Sequence, residues 1–130
     1  MEIHIRKLGE LVVCDALVKA TCLNEPVILE SLCFEALRRG DCNAVNNGKE
    51  KLFYKFGADE KNGHGDGVTG LIIIEESHFH ISTWPEDNFV EIDINTCGHI
   101  AKPLLALGYL LFELKVEKCT TQVLERGVPF

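Results

Sequence analysis

Residues 67–84 read Gly-Val-Thr-Gly-Leu-Ile-Ile-Ile-Glu-Glu-Ser-His-Phe-His-Ile-Ser-Thr-Trp, and the fold is decided there. Val68 to Glu75 is a strand. Ile72 and Ile74 point to one face and Leu71 and Ile73 to the other, because side chains alternate along extended backbone. Both faces are apolar, so both need cover: a helix layer on one side and a second sheet, supplied by a partner chain, on the other. His78 to Trp84 is the next strand, with His78, His80, Ser82 and Trp84 on one side and Phe79, Ile81 and Thr83 on the other. Trp84-Pro85 ends it, since proline lacks a ladder donor. The two patterns meet at Glu75-Glu76-Ser77-His78, where the Gly, Asn or Asp that a tight hairpin favours is missing. Two readings follow: one long bent strand with a bulge, or a strained junction.

Further strands and two helices surround this pair. Phe89 to Cys97 alternates again, with Val90, Ile92, Ile94 and Thr96 on one face and Glu91, Asp93, Asn95 and Cys97 on the other. Two strands thus each carry a polar face rich in ionisable groups. Upstream, Ile3 to Cys14 reads as a strand with a break at Gly9. Asn24 offers an N-cap, Pro26 sits in the first turn, and Val27 to Arg39 is an amphipathic helix stopped by Gly40. A strand is expected over Ala44-Val45 and Leu52 to Phe56, interrupted by the turn signal Asn46-Asn47-Gly48. Gly57 to Gly67 reads as a loop; its spaced glycines precede a strand rather than open a helix, which removes a phosphate-binding reading. Pro103 to Leu114 is a second helix with a weak point at Gly108, and Glu117 to Leu124 a last strand. The order β-α-β-β-β-β-α-β describes an α+β fold: a two-layer α/β sandwich with a mostly antiparallel sheet and two helices on one face.

The 130 residues suit one domain, 1–130. A formal net charge of −7 lacks the basic surface of a general nucleic-acid binder, and an acidic field mildly favours a cationic small molecule. The start, Met1 to Arg6, has no basic n-region followed by an apolar run, and no apolar stretch approaches a membrane span, so a cytoplasmic protein is expected. Six cysteines, Cys14, Cys22, Cys33, Cys42, Cys97 and Cys119, contain no C-x-x-C pair. Most are expected as reduced, buried thiols. His78, His80, Cys97 and His99 do not fix a metal-binding geometry, and no metal is expected.

The Glu-Glu-Ser-His string of residues 75–78, the Thr-Trp-Pro-Glu run of 83–86 and the Thr-Cys-Gly of 96–98 occur together at compatible spacing. In this combination the chain resembles the prokaryotic S-adenosylmethionine decarboxylase proenzymes, which are pyruvoyl-dependent. Gly67-Val-Thr-Gly70 resembles the family's Gly-Val-Ser-Gly, with Thr69 keeping the hydroxyl. The resemblance implies self-cleavage between Glu76 and Ser77 into a β chain of residues 1–76 and an α chain of 77–130. Ser77 becomes a pyruvoyl group that forms a Schiff base with the substrate, and no external cofactor is needed. It implies Cys97 as the proton donor to the decarboxylated Cα, and His78 as a supporting residue beside the cut. It also implies spermidine biosynthesis as the destination of the product, and a homodimer of processed αβ units in a four-layer αββα arrangement.

One departure stands out. The family pattern places a histidine five positions after the cleavage serine, where it serves the self-processing step. This chain has Ser82 there and a histidine at His80, roughly 6.5 Å away along the strand. His80 is therefore expected to act through Ser82 or a water, or the substrate has changed with it. Besides S-adenosylmethionine, arginine or ornithine is a possible substrate, and a non-processing homologue acting as a binding or regulatory subunit is the alternative from another class.

Overall fold

The structure is a computed structural model describing residues 5–59, 61, 63 and 65–129. Six strands form one sheet in the order β2-β3-β4-β5-β1-β6, every neighbouring pair antiparallel. The strands are β1 (Ile5–Val18), β2 (Lys51–Lys55), β3 (Val68–Ile74), β4 (Ser77–Trp84), β5 (Phe89–Cys97) and β6 (Val116–Pro129), with helices α1 (Pro26–Arg39) and α2 (Pro103–Glu113). The α+β class and the element order expected from sequence are both present. The expected start of the first strand at Ile3 lies outside the described residues.

The core follows the strand alternation. Val12, Cys14, Ala16, Ile72, Ile74, Phe79, Ile81, Val90, Ile92 and Ile94 are buried on one sheet face. Leu29, Cys33, Ala36 and Leu37 of α1 and Ala106, Leu107 and Leu110 of α2 complete the same core. Phe79, at the centre of β4, is wholly buried and is the largest of these side chains. Its replacement by Ala should cost about 3–5 kcal/mol, read as a lower urea midpoint with little change in slope.

The other sheet face is open. Leu71 and Ile73 are 41% and 48% exposed, and Leu52 and Tyr54 of neighbouring β2 are 56% and 55% exposed. The doubly apolar strand read from sequence thus has its helix cover on one side only within a single chain.

Four local expectations change. The junction at 75–78 is a hairpin and not one bent strand: Ile74 pairs with Ser77 across a two-residue Glu75-Glu76 turn. Asn24 does not cap α1; Glu25 holds that position without a side-chain bond, and the Asn24 amide donates to Asp66 at 2.9 Å. That bond holds the Asp66 carboxyl below its ordinary range. Val45–Gly48 is a 3-10 turn rather than strand, with φ of 49° at Asn46, 54° at Asn47 and 79° at Gly48, while Ala44 makes one bridge to Ile74. Finally, β6 is longer than the alternation of Glu117 to Leu124 suggested.

Candidate active site

The β3–β4 turn is held from two sides. Asn43, in the connection after α1, gives its backbone N–H to Glu76 Oε1 at 2.6 Å and its side-chain amide to Glu76 Oε2 at 3.1 Å. Its carbonyl accepts the Glu75 N–H at 2.7 Å. From the end of β5, the Cys97 N–H donates to the Glu76 carbonyl at 2.7 Å. That carbonyl belongs to the peptide joining Glu76 to Ser77, so a backbone donor already polarises the bond singled out by sequence. Ser77 itself has φ of 153°, a conformation that costs a side-chain-bearing residue on the order of 1–3 kcal/mol. Its Oγ lies 3.1 Å from His78 Nδ1. With the His78 proton on Nε2, the Ser77 hydroxyl donates to Nδ1.

Close backbone approach sets the position of Cys97. Gly9 of β1 pairs with Cys97, and a Cβ at Gly9 would fall on the Thr96 carbonyl oxygen. Glycine is therefore required for β1 to support the end of β5 at this distance. Beyond it Gly98, with φ of 77°, turns the chain and donates its N–H to the Leu8 carbonyl at 3.1 Å. The Cys97 side chain is exposed. Cys119 is exposed too and Cys22 half-buried, so only three of the six thiols are buried as expected: Cys14, Cys33 and Cys42, and burial raises all three above the ordinary thiol range. Cys42 is pushed up to about 11, by burial first and then by the Glu76 and Asp41 carboxylates.

A second cluster lies farther along β4 on the open face. Thr69 Oγ1 and Ser82 Oγ are 3.0 Å apart, Ser82 Oγ and His80 Nε2 2.7 Å, and His80 Nδ1 and Asp93 Oδ2 3.2 Å. The sheet explains the contacts. Thr69 pairs with Ser82 across β3–β4, and His80 with Asp93 across β4–β5, while His80 and Ser82 share a face. The structure thus joins His80 to Ser82 directly, with no water required. It also separates this cluster from Ser77: five residues of strand span roughly 16 Å. Beside Thr69 and Ser82 a cavity of about 230 Å³ is walled by Phe56, Thr83, Trp84 and Glu86. Trp84 also packs against Phe89, their ring centroids 5.4 Å apart.

Sequence reasoning named Ser77, Glu76, Cys97, His78, Thr69, Ser82 and His80. It did not single out Asn43, whose hold on the turn depends on tertiary placement, nor Asp93 as the partner of His80, which needs the β4–β5 register.

The chain is similar to known proteins over most of its length. Residues 8–127 match the S-adenosylmethionine decarboxylase family. An S-adenosylmethionine decarboxylase proenzyme from Acetivibrio thermocellus is 31% identical over 121 residues, covering 93% of this chain and 86% of that protein. One from Sulfurihydrogenibium is 44% identical over 95 residues, covering 72% of this chain and 66% of that protein. The crystal structure of the adenosylmethionine decarboxylase from Aquifex aeolicus superposes with a TM-score of 0.79 at 26% identity, covering 95% of this chain and 93% of that one. A two-layer α/β sheet of this topology is the decarboxylase scaffold that the Aquifex aeolicus structure shares. The chain belongs to the S-adenosylmethionine decarboxylase family.

Proposed function

We propose that this chain cuts itself between Glu76 and Ser77, converts Ser77 to a pyruvoyl group and then decarboxylates S-adenosylmethionine. The observation that carries the reading is the 2.7 Å bond from the Cys97 N–H to the Glu76 carbonyl, set beside the strained Ser77. His78 accepts the Ser77 hydroxyl proton, and Oγ attacks the Glu76 carbonyl carbon. The charge that develops on the carbonyl oxygen is met by the Cys97 N–H, the arrangement of an oxyanion hole. The proton held by His78 passes to the residue-77 nitrogen as the C–N bond breaks, which leaves an ester and a free amine. Loss of the residue-77 Cα proton then expels the Glu76 carboxylate, and water converts the remaining dehydroalanine to the ketone and ammonia. Asn43 already holds the Glu76 side chain in place for that departure.

The residues at the junction fit the pyruvoyl group, since its precursor serine sits half-buried at the turn next to Cys97. That ketone would supply the electron sink for loss of CO2. The Cys97 thiol returns a proton to the substrate Cα, and Phe56 and Trp84 offer aromatic faces to a cationic sulfonium. Arginine or ornithine is the second reading, favoured by the Glu91 and Asp93 carboxylates on the open face of β5. Denaturing electrophoresis with intact mass should give two fragments, residues 1–76 and 77–130. A chain that stays whole after full maturation supports a binding or regulatory subunit instead. Release of labelled CO2 from each of the three substrates separates the two decarboxylase readings. The product of the first would be the aminopropyl donor for spermidine synthesis. The cytoplasm suits the six thiols, which are free in the fold.

The active assembly is a homodimer in which two open sheet faces meet. Leu71, Ile73, Leu52 and Tyr54 on that face support it, as does the gap between Ser77 and the Thr69–Ser82–His80–Asp93 cluster, which a facing copy can close. Among the described residues no helix is long and apolar enough to cross a membrane. Ile73→Asp should shift the chain from dimer to monomer in sedimentation velocity and slow cleavage with it. A monomeric unmodified chain that cuts itself at a concentration-independent rate would overturn the dimer.

A further inference from the structure

We propose that Asp93 is a positioning residue for self-cleavage, fixing His80 so that Ser82 and Thr69 collect the proton that leaves Cα of residue 77. The inference rests on the self-cleavage reading and on the dimer proposed above, in which the cluster of one copy would face Ser77 of the other.

The hydrogen bonds permit one continuous direction. A carboxylate can only accept, so the 3.2 Å contact to Asp93 puts the His80 proton on Nδ1. Nε2 then carries a lone pair and accepts the Ser82 hydroxyl at 2.7 Å. Ser82 Oγ, having given its own hydrogen to His80, accepts the Thr69 hydroxyl at 3.0 Å. A proton entering at the Thr69 or Ser82 oxygen can therefore pass along the chain and come to rest on His80 Nε2. The imidazolium so formed lies against the Asp93 carboxylate. In the ester, the residue-77 Cα–H electron pair becomes the Cα=Cβ π bond, the Cβ–O bond breaks, and the Glu76 α-carboxylate leaves with the Cβ–O pair. The proton balances on His80.

The arrangement answers the departure seen in the sequence. Where the family pattern puts an imidazole at position 82, this chain puts a hydroxyl there and keeps an imidazole one hydrogen bond behind it. The face-sharing of His80 and Ser82 and the cross-strand placement of Asp93 supply the geometry; no other carboxylate contacts His80 among the described residues.

The test uses the full chain, followed from fresh translation. Asp93→Asn, nearly isosteric on the open face, should slow cleavage at least about tenfold, and His80→Ala by roughly a hundredfold, the scale of a lost general base. The double variant should be no slower than His80→Ala alone, since both break one relay. Uncut chain from each should carry the ester, shown by a hydroxylamine-dependent cut between residues 76 and 77. Ser82→Ala, a separate break in the same relay, should carry it too. Cleavage of Asp93→Asn at the unmodified rate, additive slowing in the double variant, or slowed chains without ester would each overturn the relay. An unmodified chain that never cuts would instead overturn the self-cleavage reading, so the two failures are distinguishable.

Discussion

Replacing Ser77 with Ala is expected to leave one uncut polypeptide, with no CO2 released from any of the three substrates. The loss should be complete rather than partial. The cut needs an oxygen attached to the Cβ next to the Glu76 carbonyl, and only residue 77 supplies one at the turn. The variant should fold, because the Ser77 side chain contributes only a bond to exposed His78. The turn's anchors are elsewhere: Asn43 grips Glu75 and Glu76, and Cys97 grips the Glu76 carbonyl through its backbone. Alanine carries the same backbone strain at φ of 153°, so thermal stability should stay near that of the uncut precursor. Intact mass after prolonged incubation is the measurement. Two fragments from Ser77→Ala would mean that some other group breaks this peptide, and the mechanism would fail at its first step.

What the sequence made legible depends on the range of the forces involved. The sheet was readable because alternation in Val68–Ile74, Ser77–Trp84 and Phe89–Cys97 is local and the buried positions are mostly apolar, Ser82, Thr83 and Thr96 excepted. Helix α1 was readable from Pro26 at its start and Gly40 at its end. Asn24 misled because a residue suited to capping was recruited by Asp66, 42 positions away. Ala44-Val45 misled because two apolar residues carry little weight beside the positive φ demanded by Asn46 and Asn47. The hairpin at Glu75-Glu76 defied turn preferences because its strain falls on Ser77 and its hold comes from Asn43 and Cys97, both distant in sequence. Within the site the same division holds. Ser77 and Cys97 announced themselves by neighbouring residues, whereas the His80–Asp93 contact exists only once β4 and β5 are in register.

Cys97→Ala should separate the two chemistries that meet at the end of β5. Its N–H belongs to the backbone and survives the substitution, so the Glu76 carbonyl stays polarised and cleavage persists. The thiol does not survive, and with it goes the acid that protonates the substrate Cα. Decarboxylation should fall by about 10²–10⁴-fold, the usual contribution of a positioned proton donor, or about 3–5 kcal/mol in barrier. The side chain is exposed and fills no core volume, so the loss should not come from unfolding. Quantifying both fragments and CO2 release in one preparation gives the split directly. A fully cut variant with low turnover places the thiol in substrate chemistry alone. An uncut variant would move the thiol into self-processing. A fully cut variant with unmodified turnover would remove Cys97 from the reaction and leave its backbone donor as the whole of its contribution.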